Sequence, residues 1–230
     1  MQHLADKILQ FYASVTLDSA LPQQIQVMNP YAESEEVRRL CGLFYRKYYA
    51  DTSPRKLILG INPGRLGAGA TGIPFTDTKR LAEACDITCE GLHTHEPSSV
   101  FIYEMIEAFG GPELFYSQFY INSVCPLGFT KNQDTGQLVN YNYYDSRELS
   151  HSVSQFIIDN IHQQIAIAGH RDVAFCLGTG KNYAYLNKLN RTHQFFKEII
   201  PLEHPRYIMQ YKNKTKDLYI DDYIRKLTRA

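Results

Sequence analysis

Four short apolar runs, Lys56–Ile61, Phe119–Val124, Val173–Leu177 and Ile199–Leu202, constrain this chain more than any other feature. Each is too short for a helix of its own, ends on turn residues, and is separated from the next by a long helical pattern. That alternation predicts an α/β fold of three layers, with a central parallel four-stranded sheet covered by helices on both faces. The helical patterns run over Ala5–Val15, Ser34–Tyr49, Thr78–Cys85, Ser98–Phe109, Arg147–Ala168, Lys181–Asn190 and Asp217–Thr228, and Gly110-Gly111 stops the one that starts at Ser98. The polar, tyrosine-rich stretch Thr130–Tyr144 reads as an excursion from the sheet or a long surface loop. No repeat, linker or low-complexity block divides the 230 residues, and 44% apolar content suffices for a core, so a single domain over residues 1–230 is expected.

Several function classes lose support at once. The five cysteines include no Cys-x-x-Cys pair, which argues against a disulfide framework and against a four-thiolate metal or iron–sulfur site. His93 and His95 lack partner spacing for a metal, and no metal or cofactor is expected. Twenty-four basic residues balance twenty-four acidic ones, so attraction to nucleic acid has to come from local patches. No stretch reaches the ~18 uninterrupted apolar residues of a membrane span, and the N-terminus lacks a secretory pattern. A cytosolic protein with no membrane partner is the expectation.

In open parallel sheets ligands bind beyond the carboxyl ends of the strands. Those ends carry INPG (61–64), NSVCP (122–126), GTGK (178–181) and EHPR (203–206), which makes them the place to look for a site. The first opens a loop of glycines and small residues that runs to Phe75. Within it Gly67–Gly72 matches the G-x-G-x-x-G dinucleotide pattern, with Asp86 near the acidic position downstream. A nucleotide-binding protein is therefore one alternative, but the pattern starts five residues past Asn62 and runs into Ile73-Pro74, where a helix should open. GTGK fails as a P-loop, because Phe175 stands where glycine is needed and Asn182 follows Lys181.

Three motifs together resemble the uracil-DNA glycosylase superfamily, most closely its single-strand-selective monofunctional branch: GINPGRLGAGATGIPF (60–75), INSVCPLGF (121–129) and LEHPR (202–206). NPYAESEEVRRL (29–40) and VAFCLGTGKNYAYL (173–186) extend the likeness along the chain. The resemblance implies a monofunctional glycosylase of base excision repair that flips a deaminated base out of DNA and cuts its N-glycosidic bond. By the same likeness Asn62 would hold the attacking water, His204 would donate a hydrogen bond to the departing base, and Phe75 would stack on it. Ile61 and the loop from Gly64 to Gly72 would line the pocket. The family's members resemble monomers, and a catalytically silent DNA-binding relative is a further alternative. No lysine falls in the motif positions, so a Schiff base and strand cleavage are not expected.

Two motifs depart from the family. Aligned on Cys-Pro-Leu, its base-reading asparagine falls on Ser123, and the nearby Asn122 lies one residue earlier; a strand alternates faces, so one of the two points into the pocket, and Ser123 is favoured. A serine hydroxyl serves as donor or acceptor, which relaxes discrimination and admits xanthine beside uracil. The family's extended His-Pro-Ser-Pro-Arg segment is shortened here, leaving Tyr207, Ile208 or Met209 as the wedge that replaces a flipped base, or else a return into the sheet. Arg65, Arg206, Lys212, Lys214 and Lys216 are candidates for a phosphate-contacting rim, with modest, salt-sensitive binding.

Overall fold

The computed structural model describes residues 2–229. The chain order begins α1 (Leu4–Ser14), β1 (Ile25–Met28), α2 (Pro30–Glu33), α3 (Glu35–Tyr48), β2 (Lys56–Gly60), α4 (Ala68–Thr71), α5 (Thr78–Cys85), α6 (Pro97–Phe109), α7 (Pro112–Tyr116) and β3 (Phe119–Ser123). It continues β4 (Gly128–Asn132), β5 (Leu138–Tyr141), α8 (Arg147–Ser152), α9 (Ser154–Ala168), β6 (Val173–Leu177), α10 (Lys181–His193), β7 (Glu198–Leu202), α11 (Pro205–Tyr211) and α12 (Lys216–Arg229).

The four predicted strands form one parallel sheet in the order β3-β2-β6-β7. Gly60 pairs with Ser123 and Leu177 with Leu202, so the carboxyl ends are level and their turns open on one side. Pairing outlasts the assigned strands by a step, since the Val124 and Cys125 amides donate to Gly60 and Ile61 carbonyls at 2.9 and 3.1 Å. Leu57, Ile58, Leu59, Ala174, Phe175 and Leu202 are buried, as sheet residues covered on both faces must be. Ser34 caps α3 by accepting the Val37 amide, with Glu35 and Glu36 in the first turn and Arg46 and Lys47 in the last, both suited to the helix dipole.

Three expectations are corrected. The helix read over Arg147–Ala168 is two, interrupted at Val153, where Ser152 turns its hydroxyl onto the Glu148 carbonyl. Thr130–Tyr144 is an excursion from the central sheet and not a plain loop: β4 and β5 make a hairpin that joins β1 in a second, antiparallel sheet of order β1-β4-β5. β4 buries Gly128–Thr130, but β1 and β5 are at most half-buried and each is interrupted by a polar residue, Gln26 or Asn140, so no continuous apolar run announced the sheet. The segment after His204 does not return into the sheet but forms α11, with Pro205 at its first turn, where a missing amide costs nothing. Among the described residues no helix is long and apolar enough to cross a membrane.

Candidate active site

A cavity of about 490 Å³ opens at the level carboxyl ends of the sheet, lined among others by Ile61, Asn62, Gly64, Phe75, Ser123 and His204. Residues from all four strand-end turns meet there.

The Asn62 side chain is held at both ends by main chain. Its Oδ1 accepts the Tyr143 amide at 3.1 Å, and its Nδ2 donates to the Tyr141 carbonyl at 3.3 Å and to the Pro63 carbonyl at 3.4 Å. An amide oxygen has two lone pairs, so one remains for a further donor. Tyr143 is itself anchored: its buried hydroxyl donates to Asn182 Oδ1 at 2.7 Å, and Asn182 Nδ2 donates to the Leu177 and Gly60 carbonyls at 2.9 and 3.3 Å. The hairpin, the end of β2 and the end of β6 are thereby tied together under the cavity floor.

His204 caps α11 by accepting the Arg206 amide on Nδ1 at 3.1 Å. An imidazole nitrogen that accepts carries no proton, so in the neutral ring the proton is on Nε2, which is then a donor. Burial, with a smaller contribution from the Arg206 charge, lowers the pKa of His204 to about 4, which keeps the ring neutral near pH 7. The site thus holds a fixed, uncharged N–H donor.

Phe75 sits 6.0 Å from the His204 ring, centroid to centroid, with a positive φ of 52° that is strained for a bulky residue. Its ring packs directly over Gly60, where a Cβ would come within 2.9 Å of the phenyl edge. The glycine that ends β2 is the space this aromatic ring occupies.

Of the two candidates on β3, Ser123 lines the cavity. Asn122 points elsewhere, with Nδ2 donating to the Tyr120 hydroxyl and Oδ1 accepting the Ser123 amide, both at 2.8 Å. Among the described residues no protein group takes the Ser123 hydroxyl, while the Ser123 carbonyl accepts from Gln164 Nε2 at 3.1 Å. Gly72 stands behind the cavity, closing the one-turn helix α4 in a left-handed conformation. The G-x-G-x-x-G match therefore spans one helical turn and its stop, whereas a dinucleotide loop would open a long helix.

Around the mouth, Arg206 and Tyr207 line the cavity and are exposed, as is Tyr211, whose ring lies 5.4 Å from that of Tyr207. Ile208 is fully buried and Met209 partly so, which removes Ile208 from the wedge candidates. Lys212 and Lys214 are exposed beyond α11, whereas Lys216 is paired with Glu104 at 2.6 Å. Arg65 is exposed but donates to the Leu138 carbonyl at 2.7 Å, which ties the loop to the hairpin. His95 lies 3.6 Å from Asp77, and among the described residues no group of three or more possible metal ligands occurs.

Sequence reasoning gave no role at the site to Tyr143, Asn182, Lys181 or Glu96. Lys181 starts α10 and lines the cavity, its Nζ 5.8 Å from the Tyr144 ring centroid. Lys181 belongs to the GTGK turn at a strand end, outside the three motifs at 60–75, 121–129 and 202–206.

A family model described as the uracil DNA glycosylase superfamily matches residues 46–228. The crystal structure of wild-type SMUG2 from Pedobacter heparinus resembles the chain with a TM-score of 0.97 and 53% sequence identity, covering 100% of this chain and 98% of that one. No curated protein sequence matches.

Proposed function

The chain belongs to the uracil DNA glycosylase superfamily and is a DNA glycosylase, a hydrolase of DNA repair; from this premise we propose that it cuts uracil, and also xanthine, from DNA as a monofunctional enzyme. The observation that carries the proposal is the pairing of Asn62 with a neutral, donor-oriented His204 on one cavity.

Bond cleavage builds positive charge on the sugar and negative charge on the base. In our reading the flipped base stacks on Phe75 and its Watson–Crick edge meets Ser123. His204 Nε2–H donates to a carbonyl oxygen of the leaving base, so the developing anion finds a donor already in place. Asn62 does not take a proton; its free lone pair accepts a hydrogen bond from water, presenting the water oxygen to C1′. A cationic sugar needs little nucleophilic push, so positioning suffices. Tyr207 is the side chain that enters the duplex, and Arg206, Lys212 and Lys214 meet phosphates.

Ser123 reads the base with a rotatable hydroxyl and sets no fixed donor pattern. Uracil and xanthine share a carbonyl, N–H, carbonyl edge, so both fit such a reader. The test is base release from matched oligonucleotides carrying uracil or xanthine. Wild type is expected to release both, with losses of about a hundredfold in Asn62→Ala and a hundred- to a thousandfold in His204→Ala. Rapid uracil release without xanthine release removes the wider substrate range. Strand cleavage without added base, or a Lys181 adduct trapped by borohydride, removes the monofunctional assignment.

A further inference from the structure

The cavity is continued by a second groove on one side. Tyr144 lines the cavity and also lines a groove of about 330 Å³ between α8 and α10, which Arg147, Ser150, Ser154 and Lys188 line as well. Tyr144 is thus the partition between the two, and Lys181 stands beside it, its Nζ 5.8 Å from the ring centroid. Lys181, Tyr185 and Lys188 follow one another at spacings of four and three along α10, so they share one face of that helix and lead from the cavity into the groove.

The charge along this path is one-sided. No acidic residue lines the groove, and α10 carries Lys181, Lys188 and Arg191 without an aspartate or glutamate. Elsewhere in this charge-balanced chain helical cations find a carboxylate close by, as Lys79, Arg80, Arg225 and Lys226 do within three or four residues. Among the described residues Arg147, Lys181 and Lys188 pair with none. Lys181 is placed against local electrostatics too, since it opens α10, where the helix dipole disfavours a cation. Three unpaired cations along one path, with serine hydroxyls between them as further donors, match a row of phosphates. Lys181 and Lys188 are separated by about 10 Å of helix rise, the axial length of about three nucleotides of one strand.

We propose that this groove is a second DNA-binding surface, which leads the strand holding the flipped nucleotide away from the cavity. Tyr144 and Lys181 stand at the exit, and Arg147 and Lys188 meet phosphates about two to three nucleotides from the lesion. A groove between two helices admits a flexible single strand, whereas a duplex is stiff over this length. The surface is separate from the rim at α11, and the chemistry proposed for the cavity does not require it.

The test is binding, by fluorescence anisotropy, of single-stranded oligonucleotides that carry a tetrahydrofuran abasic-site analogue. One is a trimer with the analogue at its centre, and the others are lengthened by about five nucleotides on the 5′ or the 3′ side, enough to run through the groove. Affinity is read as the ratio of lengthened to short probe in one preparation, so a misfolded fraction cancels. In wild type the ratio is expected to rise above one on the side that enters the groove. In Arg147→Ala combined with Lys188→Ala it should fall about tenfold at ~0.1 M salt, and the salt slope for the lengthened probe should drop by about 1.4, as for two phosphate contacts to a single strand. Lys7→Ala combined with Lys197→Ala removes the same charge from exposed positions on α1 and before β7, and should leave the ratio unchanged. A wild type that gains from neither side, an unchanged ratio in the groove variant, or an equal fall in the distant variant overturns the inference. Binding needs no turnover, so a protein that releases no base would overturn the chemistry of the cavity and still report on the groove.

Discussion

The floor of the cavity and its mouth are built on opposite plans. At the floor, Asn62 is bonded through both ends of its side chain, Tyr143 and Asn182 brace it from below, and His204 is locked into one tautomer by the Arg206 amide. At the mouth, Tyr207, Tyr211, Lys212 and Lys214 stand exposed on and just beyond a seven-residue helix. Groups that meet the reacting atoms have to be in place before the reaction, because reorganisation would add to the barrier. Groups that meet a duplex gain from adapting to it, and their charges act through a screened field that tolerates small displacements. Order at the floor and freedom at the mouth suit a protein that grips a variable polymer and performs one fixed reaction on it.

The contrast breaks most visibly at His204. His204→Ala is expected to cost about 3–4 kcal/mol of transition-state stabilisation, seen in single-turnover release at saturating protein, where mouth residues contribute least. Next comes the brace: Asn182→Ala removes the acceptor of the buried Tyr143 hydroxyl and the donor to two carbonyls, so stability falls by about 1–3 kcal/mol. Denaturant melts and base release measured together should move in step, because Asn182 anchors the Tyr143 side chain and the Tyr143 amide in turn holds Asn62. A stable Asn182→Ala protein with full activity would show that the floor needs no brace. At the mouth, Tyr207→Ala should weaken release from duplex by about tenfold and from single strands less, since only a duplex needs its gap filled. Lys212→Ala combined with Lys214→Ala should flatten the salt dependence of binding by up to about two units of slope, with little change at low salt.

The smallest expected effect concerns pH. A neutral donor lowered to about 4 leaves release steady from pH 7 to 5.5, where an ordinary histidine would have titrated. The stability sign runs the other way from a salt-bridged histidine. The folded state binds its proton later than the unfolded chain does, so His204 costs stability as pH falls from about 6.5 towards 4. Release that drops with a midpoint near 6.5 would show a solvent-like His204 and erase the distinction between floor and mouth at this residue.

The sheet was legible because buried parallel strands have little choice but apolar residues, and Lys56–Ile61 and Val173–Leu177 show it plainly. The hairpin was not, because Leu138–Tyr141 alternates between partial burial and solvent. Motif residues such as Asn62, Phe75 and His204 stand beside turns that mark strand ends, and all three reach the cavity. Tyr143 carries no such mark, and Asn182, although it follows the GTGK turn, belongs to none of the three motifs. Their importance arises from contacts 39 residues apart along the chain, which only packing brings about. Glu96 was missed for a related reason: its place depends on glycines at 64 and 67 leaving a gap that another element fills.

The hairpin's grip on Asn62 uses the carbonyl of Tyr141 and the amide of Tyr143, atoms that every residue type except proline provides. Inheritance can therefore rewrite the side chains at 141 and 142 while the grip persists. What it cannot do is change the count of residues between the end of β5 and Tyr143. One residue gained or lost there presents the wrong atom to Asn62, whereas an insertion at the hairpin tip, between Gln133 and Gln137, leaves the pairing of β4 with β5 in register. In this segment spacing is the heritable trait, and spelling is largely free to drift.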